Sequence, residues 1–304
     1  MAVLELDGVS KRFGPRPVLR ELALSIPEHT VFGLIGKNGA GKTTTMKMIL
    51  GFLRPDEGEI RVCGERVRYG NTRTNRYVGY LPDVPEFYVY MRPLEYLAFC
   101  GSISGMPRGR IRERAGELLT LVGLEGESRK IKGFSRGMKQ RLGIAQALLG
   151  SPALLICDEP TSALDPVGRK EILEILAVAG KQTSILFSTH ILSDVERVCD
   201  RIAILNGGRI ALQGPLEEVR GRFGTDAVAV HLADNSAGAL QAYCGSLPFV
   251  RSADCSGNTV TLRVSDVRKD GPRLLGLLAE KRLPIVKYEV LEPTLEDVFL
   301  EVIG

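Results

Sequence analysis

Gly36-Lys37-Asn38-Gly39-Ala40-Gly41-Lys42-Thr43 fits the pattern GxxxxGK(S/T) and stands between an apolar run, Val31 to Ile35, and a helix-forming stretch, Thr43 to Leu50. A buried strand that turns through glycines into a helix N-terminus gathers backbone N–H groups into a nest for anions. Only residues without a Cβ let the backbone wrap closely around phosphate oxygens. The expected ligand is a polyphosphate held along residues 36 to 44, Thr44 included. Lys42 is expected to reach its β- and γ-phosphates and the Thr43 hydroxyl to ligate Mg²⁺.

Further along, Leu154-Leu155-Ile156-Cys157-Asp158-Glu159 is an apolar strand ending in two acids. An α/β sheet carries its site at the carboxyl edge, which brings this pair toward the phosphate loop. Asp158 is expected to hold Mg²⁺ through water, and Glu159 to polarise the water that attacks the γ-phosphate. Between the two motifs, Phe134-Ser135-Arg136-Gly137-Met138 opens a helix running to Leu149, with Ser135 as N-cap and the positive dipole end free to face an anion. Asp165-Pro166 starts another helix, the acid as N-cap and the proline at the first position.

Alternating strand and helix patterns up to about residue 220 predict an α/β domain with a largely parallel sheet. Its strands are expected at Val3 to Leu6, Leu22 to Ile26, Val31 to Ile35, Ile60 to Cys63, Leu154 to Cys157, Ser184 to Phe187 and Arg201 to Leu205. A helical subdomain is expected at about 85 to 150, with Pro93 as a first helical residue. Residues 221 to 304 predict a small α+β unit of βαββαβ order, its strands at Asp226 to Leu232, near Pro248 to Arg251, at Thr259 to Val264 and at Ile285 to Val290. Thr294 starts a final helix with Asp297 as its capping-box partner. The length, 304 residues, suits such a division.

Composition narrows the function classes. A net charge of +4, with basic residues scattered among acids, makes no case for a nucleic-acid partner. Arginines cluster between Arg108 and Arg114, yet Ile111, Ala115, Leu118, Leu119 and Val122 lie among and beyond them at helical spacing, which predicts a solvated helix face. The six cysteines are dispersed without a CxxC pair, and Met1 leads straight into Val3-Leu4-Glu5-Leu6 with no secretory pattern, so a reduced, cytosolic protein is expected. No apolar run approaches the ~20 residues that span a bilayer.

With these motifs in this order, residues 1 to about 220 resemble the ATP-binding subunits of ABC transporters, whose fold is an α/β P-loop NTPase with a helical subdomain. Gly36 to Thr43 matches the Walker A motif, Phe134 to Met138 the signature usually written LSGGQ, and Leu154 to Glu159 Walker B. Ser162-Ala163-Leu164-Asp165 matches the D-loop, and His190, after Ser188-Thr189, the switch histidine. Phe13 stands where the family stacks an aromatic on adenine. The resemblance implies ATP and Mg²⁺ as cofactors and a head-to-tail pair of ATP-binding subunits. Each ATP then lies between Walker A of one copy and Ser135 and Gly137 of the other. A homodimer is the simpler expectation and a heterodimer stays open.

Two departures from the family pattern stand out. Asp83, after Gly79-Tyr80-Leu81-Pro82, takes the place of the Q-loop glutamine; it can accept from Mg²⁺-bound water but cannot donate as an amide does. In the signature, Arg136 replaces a glycine and Met138 a glutamine. Pro293-Thr294-Leu295-Glu296-Asp297-Val298-Phe299-Leu300 looks like the C-terminus of ATPase subunits in ABC-2-type exporters, which serve drug, peptide antibiotic, sodium, copper and polysaccharide efflux. That resemblance implies export through a separate permease, with the chain peripheral on the cytoplasmic side of the cell membrane. A permease helix is then expected near Asp83 and around Pro85 to Tyr90, where Phe87, Tyr88 and Tyr90 serve either that contact or as loop anchors. The competing class is a soluble ABC-type ATPase on ribosomes or DNA. Such proteins carry two cassettes, or a long coiled coil between Walker A and the signature, and neither is present here.

Overall fold

The structure, a computed structural model, describes residues 2–71, 73–222, 226–281, 283–291 and 294–303. Pro293, which opens the C-terminal motif, lies outside them. The chain divides after Leu216 into two compact units.

In the first unit, β1 (Ala2–Phe13) and β2 (Arg16–Pro27) form a long hairpin, and β3 (Val31–Ile35) leads through the phosphate loop into α1 (Lys42–Ile49). β4 (Glu57–Val62), β5 (Glu65–Arg66) and β6 (Val78–Leu81) follow, then three helices, α2 (Pro93–Ile103), α3 (Arg108–Leu121) and α4 (Arg136–Leu148). The chain continues through β7 (Leu154–Asp158), α5 (Pro166–Ala179), β8 (Ser184–Thr189), α6 (Leu192–Val198), β9 (Arg201–Asn206) and β10 (Arg209–Pro215), and α7 (Leu216–Arg222) begins at the division.

These strands make two sheets. Six strands in the order β10-β9-β3-β8-β7-β6 are parallel from β9 to β6, with β10 antiparallel at one edge. The strands expected at Val3 to Leu6, Leu22 to Ile26 and Ile60 to Cys63 belong instead to a separate antiparallel sheet, β2-β1-β4-β5. Their alternating pattern shows why: β1 buries Leu4, Leu6 and Val9 while Glu5, Arg12 and Phe13 face outward, as one-sided antiparallel strands do. By contrast β3, β7 and β8 are buried at every position, the mark of central parallel strands. Leu4, Leu24 and Ile26 of the antiparallel sheet share one core with Met46 and Ile49 of α1 and Leu34 and Ile156 of the parallel sheet.

β6 and β10 are absent from the strand pattern in the sequence. β6 contains Gly79, a poor strand former, and its place is explained by packing: a Cβ there would collide with the carbonyl oxygen of Ala147 in α4. Gly79→Ala is therefore expected to cost about 1–3 kcal/mol through overpacking. Chemical denaturation should show an earlier midpoint with an unchanged slope.

On α3, Ile111, Ala115, Leu118 and Leu119 are buried while Arg108, Arg110 and Arg112 stay exposed. α2 starts at Pro93, with Glu95 accepting from the Arg92 N–H at 2.9 Å. Among the described residues no helix is long and apolar enough to cross a membrane.

The second unit contains β11 (Ala227–Leu232), α8 (Ala237–Gly245), β12 (Val250–Ser256), β13 (Thr259–Val264), α9 (Val267–Glu280), β14 (Ile285–Leu291) and α10 (Leu295–Ile303). Its sheet, β12-β13-β11-β14, is antiparallel throughout. Val228, Val230, Leu262, Leu240, Leu274 and Leu278 form its core. α9 begins at Val267 because Asp266 caps it, accepting from Arg268 and Lys269, and Pro272 falls within the first two turns. Thr294 and Asp297 cap α10 reciprocally.

Candidate functional site

β3, β8 and β7 are parallel neighbours, so their carboxyl ends open onto one edge: Ile35 pairs with Thr189 and Asp158 with Ser188. The phosphate loop leaves β3 at that edge. Gly41 has φ of 113°, a left-handed conformation at the N-cap of α1 that an L side chain rarely adopts. Lys37 accepts from the Ala40 N–H at 3.1 Å and closes the turn, while Lys37, Asn38 and Gly39 stay exposed.

Lys42 is buried at the start of α1, where Nζ donates to the Gly36 carbonyl at 2.7 Å and lies 3.3 Å from Glu159 Oε1. Glu159 Oε2 is 2.9 Å from His190 Nδ1. The carboxylate of Glu159 thus stands between a lysine from one strand end and a histidine from another. Its backbone has φ of 48°, left-handed for a non-glycine residue, and its N–H donates to the Ser188 carbonyl at 3.0 Å. Strain of this kind persists where surrounding structure holds it, and here it turns Glu159 away from the line of Asp158.

Asp158 is held from two sides. Thr43 Oγ1 donates to one carboxylate oxygen at 2.8 Å and Ser188 Oγ to the other at 2.6 Å. The hard oxygens of Thr43 and Asp158 are side by side, a donor set of the type Mg²⁺ takes.

Asp83 follows β6. Its carboxyl is held above the usual carboxylate range, first by burial and then by the charges of Asp158 and Glu159, while Arg136 and the Ser162 hydroxyl pull it back down. Arg136 Nη2 lies 3.5 Å from Asp83 Oδ1. Tyr80 nearby is pushed up to about 12 by burial and by the charges of Asp158 and Asp83.

The remaining expected residues sit apart. Ser135 caps α4, accepting from the Met138 N–H at 3.2 Å, and Gly137 is in the same first turn. Asp165 caps α5 by accepting from the Gly168 N–H at 3.3 Å. Phe13, at the end of β1, is 51% exposed with Lys11 Nζ 5.7 Å from its ring centre. Among the described residues no hydrogen bond or ion pair joins Ser135, Gly137, Asp165 or Phe13 to the Lys42–Glu159–His190 group.

Three residues escaped the sequence reading. Ser188 orients Asp158, although it stood in plain view beside Thr189 and His190. Gln140, fully buried in α4, donates to the backbone carbonyls of Asp83 at 3.0 Å and Pro160 at 3.2 Å. Asp194, 3% exposed in α6, accepts from Thr161 Oγ1 and Arg169 Nη2, each at 2.6 Å. Gln140 ties the Asp83 loop and the signature helix to the segment after Walker B, and Asp194 ties that same segment to α5 and α6. Nothing local in the sequence marks either.

Of the loop aromatics, Phe87 packs edge-on against Tyr96 at 5.1 Å and Tyr88 against Phe99 at 5.3 Å. Both anchor the loop on α2, whereas Tyr90 remains 62% exposed.

Residues 19–162 match the family model described as ABC transporter, and residues 214–303 match that of the ATP-binding protein DrrA1-3-like C-terminal domain. The uncharacterized ABC transporter ATP-binding protein YxlF of Bacillus subtilis (strain 168) is 36% identical, over 99% of this chain and 99% of its own. The Nod factor export ATP-binding protein I of Ralstonia nicotianae is 34% identical, over 99% of this chain and 94% of its own. A solved ATP-binding subunit of an ABC transporter superposes with a TM-score of 0.65 at 34% identity, over 73% of this chain and 93% of that one. A phosphate loop beside an acid pair is common to many nucleotide hydrolases. Similarity that runs the whole length of such relatives is not, and the chain belongs to the ABC transporter ATP-binding proteins, which hydrolyse ATP to power transport.

Proposed function

We propose that this chain drives export, working as one of two identical copies on the cytoplasmic face of a separate membrane permease. The observation that carries the catalytic part of this reading is the placement of Glu159 between Lys42 and His190, 3.3 and 2.9 Å away. In this reading residues 36 to 44 cradle the phosphates, Lys42 neutralises γ-phosphate charge and Phe13 stacks on adenine. Glu159 takes the proton of the attacking water, while His190 orients that water and contacts the γ-phosphate.

Thr43 and Asp158 would hold Mg²⁺, with Asp83 accepting from its water. The ion's contribution, when bound, is to offset charge on the phosphate oxygens. Ser188 keeps the Asp158 carboxylate turned toward it.

Ser135, Gly137 and Asp165 act on the second copy. In this reading, which the family resemblance supports, the N-terminus of α4 serves not the nucleotide of its own Walker A but that of the second copy, so the γ-phosphate of one copy binds Ser135 and Gly137 of the other and holds the pair closed. Hydrolysis removes that contact and the pair opens. A ligand drives a conformational change only through unequal affinity for the two states, and the γ-phosphate supplies that inequality.

Export as the direction is supported by the C-terminal motif and by relatives such as the Nod factor export protein. We assign residues 85–150 to the helical subdomain that carries the signature and 221–304 to an accessory domain. Tyr90 and the loop around it form the contact for the permease's cytosolic helix.

Affinity capture from native membranes tests the assignment. The expected result is one permease recovered with two copies of this chain, and ATP hydrolysis by the complex that rises with the exported compound. Recovery of ribosomes or DNA-linked assemblies in its place would favour the soluble ATPase reading.

A further inference from the structure

Asp83 and Arg136 are the two places where the chain departs from its family's Q-loop and signature with a charged residue, and the structure puts them together. Their separation is 3.5 Å, yet Asp83 Oδ1, although enclosed, is hydrogen-bonded to nothing. The guanidinium reaches the acid without docking on it, and both side chains are nearly half exposed. Such an exposed pair biases an equilibrium by no more than about fivefold.

A guanidinium bonded to phosphate is a stronger partner, short, charge-assisted and often bidentate, and favours its bound state by about 10- to 100-fold. Arg136 also occupies the first position of α4, directly between Ser135 and Gly137, so its fork points from the same helix end that those residues form. The Asp83 loop does not have to move with it. Gln140 pins the Asp83 carbonyl to α4 independently of the ion pair, leaving the side chain of Arg136 free to exchange.

We propose that Arg136 exchanges between two anions, Asp83 of its own chain in the open state and the γ-phosphate bound to the second copy in the closed state. This rests on the two-copy reading above and extends it. When the second copy binds ATP, Arg136 leaves, and the Asp83 carboxyl loses its counter-charge beside Asp158 and Glu159. Nucleotide in one pocket thereby alters the electrostatics of the metal side of the other, a coupling between two sites through one bistable side chain.

The test titrates MgATP-dependent dimerisation of purified full-length chain in a Glu159→Gln background by analytical ultracentrifugation. Arg136→Ala is expected to need about tenfold more ATP for half-maximal dimer, with a weaker dependence on salt. Asp83→Asn keeps an acceptor oxygen but removes the competing charge, and should need roughly threefold less. In the double variant the Asp83→Asn effect should shrink to what the loss of one negative charge near the phosphate gives without Arg136, the non-additivity that a double-mutant cycle requires of coupled residues. Unchanged ATP dependence in Arg136→Ala, or an Asp83→Asn shift of undiminished size without Arg136, overturns the exchange while leaving the two-copy reading intact. A Glu159→Gln parent that stays monomeric overturns both.

Discussion

Glu159→Gln is expected to slow ATP hydrolysis by about 10²- to 10⁴-fold, the usual contribution of a positioned general base, while ATP still binds and a stable dimer accumulates. The amide has nearly the same shape and can still accept from Lys42 Nζ, so the pocket keeps its form. It cannot take a proton from water. It also removes a negative charge from a place already shared by Asp158 and by Asp83, whose carboxyl their charges help hold up. A γ-phosphate entering that region meets less repulsion, which strengthens the ATP-bound pair. Single-turnover hydrolysis and size-exclusion chromatography in MgATP check both halves of the expectation, and a variant that turns over normally and elutes as a monomer would contradict it.

Lys42→Met is expected to fail one step earlier. The lysine is 5% exposed, and its ammonium joins the Gly36 carbonyl at 2.7 Å to the Glu159 carboxylate at 3.3 Å. Methionine fills the same volume with no charge, so a charge-assisted contact to each of two phosphates is lost. Each such contact is worth about 1.5–3 kcal/mol, and ATP affinity should fall by about 10² or more. Glu159, 15% exposed, would also be left facing the loop without its cation. A fluorescent ATP analogue titrated into the two variants separates them: Glu159→Gln binds at least as tightly as the parent, and Lys42→Met does not. Parent-like affinity in Lys42→Met would remove the lysine from phosphate binding.

The elements legible in the chain were those whose environment is uniform along their length. Val31–Ile35 and Thr259–Val264 fall where the apolar pattern puts them, the first buried throughout and the second alternating. The caps at Ser135, Asp165 and Thr294 were equally legible, because a cap is a contact between residues three apart. β1 and β2, at 12 residues each, run well over twice the expected length because their outward residues are polar and their pairing is broken by bulges. Their membership in a separate sheet depends on which strands pair, and no local pattern encodes that.

The site divides in the same way. Lys42, Thr43, Asp158, Glu159 and His190 could be named from the sequence, because each lies in a short motif whose residue types are those the chemistry requires. Backbone geometry within a few residues determines the glycine turn proposed to cradle phosphate, and composition within a few residues determines the acid pair. Tertiary structure alone decided who holds these residues in place: Ser188 on Asp158, Gln140 on the Asp83 loop, Asp194 on Thr161 and Arg169, and Arg136 across from Asp83. Each of those contacts joins segments brought together by the order of strands in a parallel sheet and by the packing of α4 on β6. Such contacts arise from the burial of distant apolar faces on one another, so their partners become neighbours only once the chain has folded.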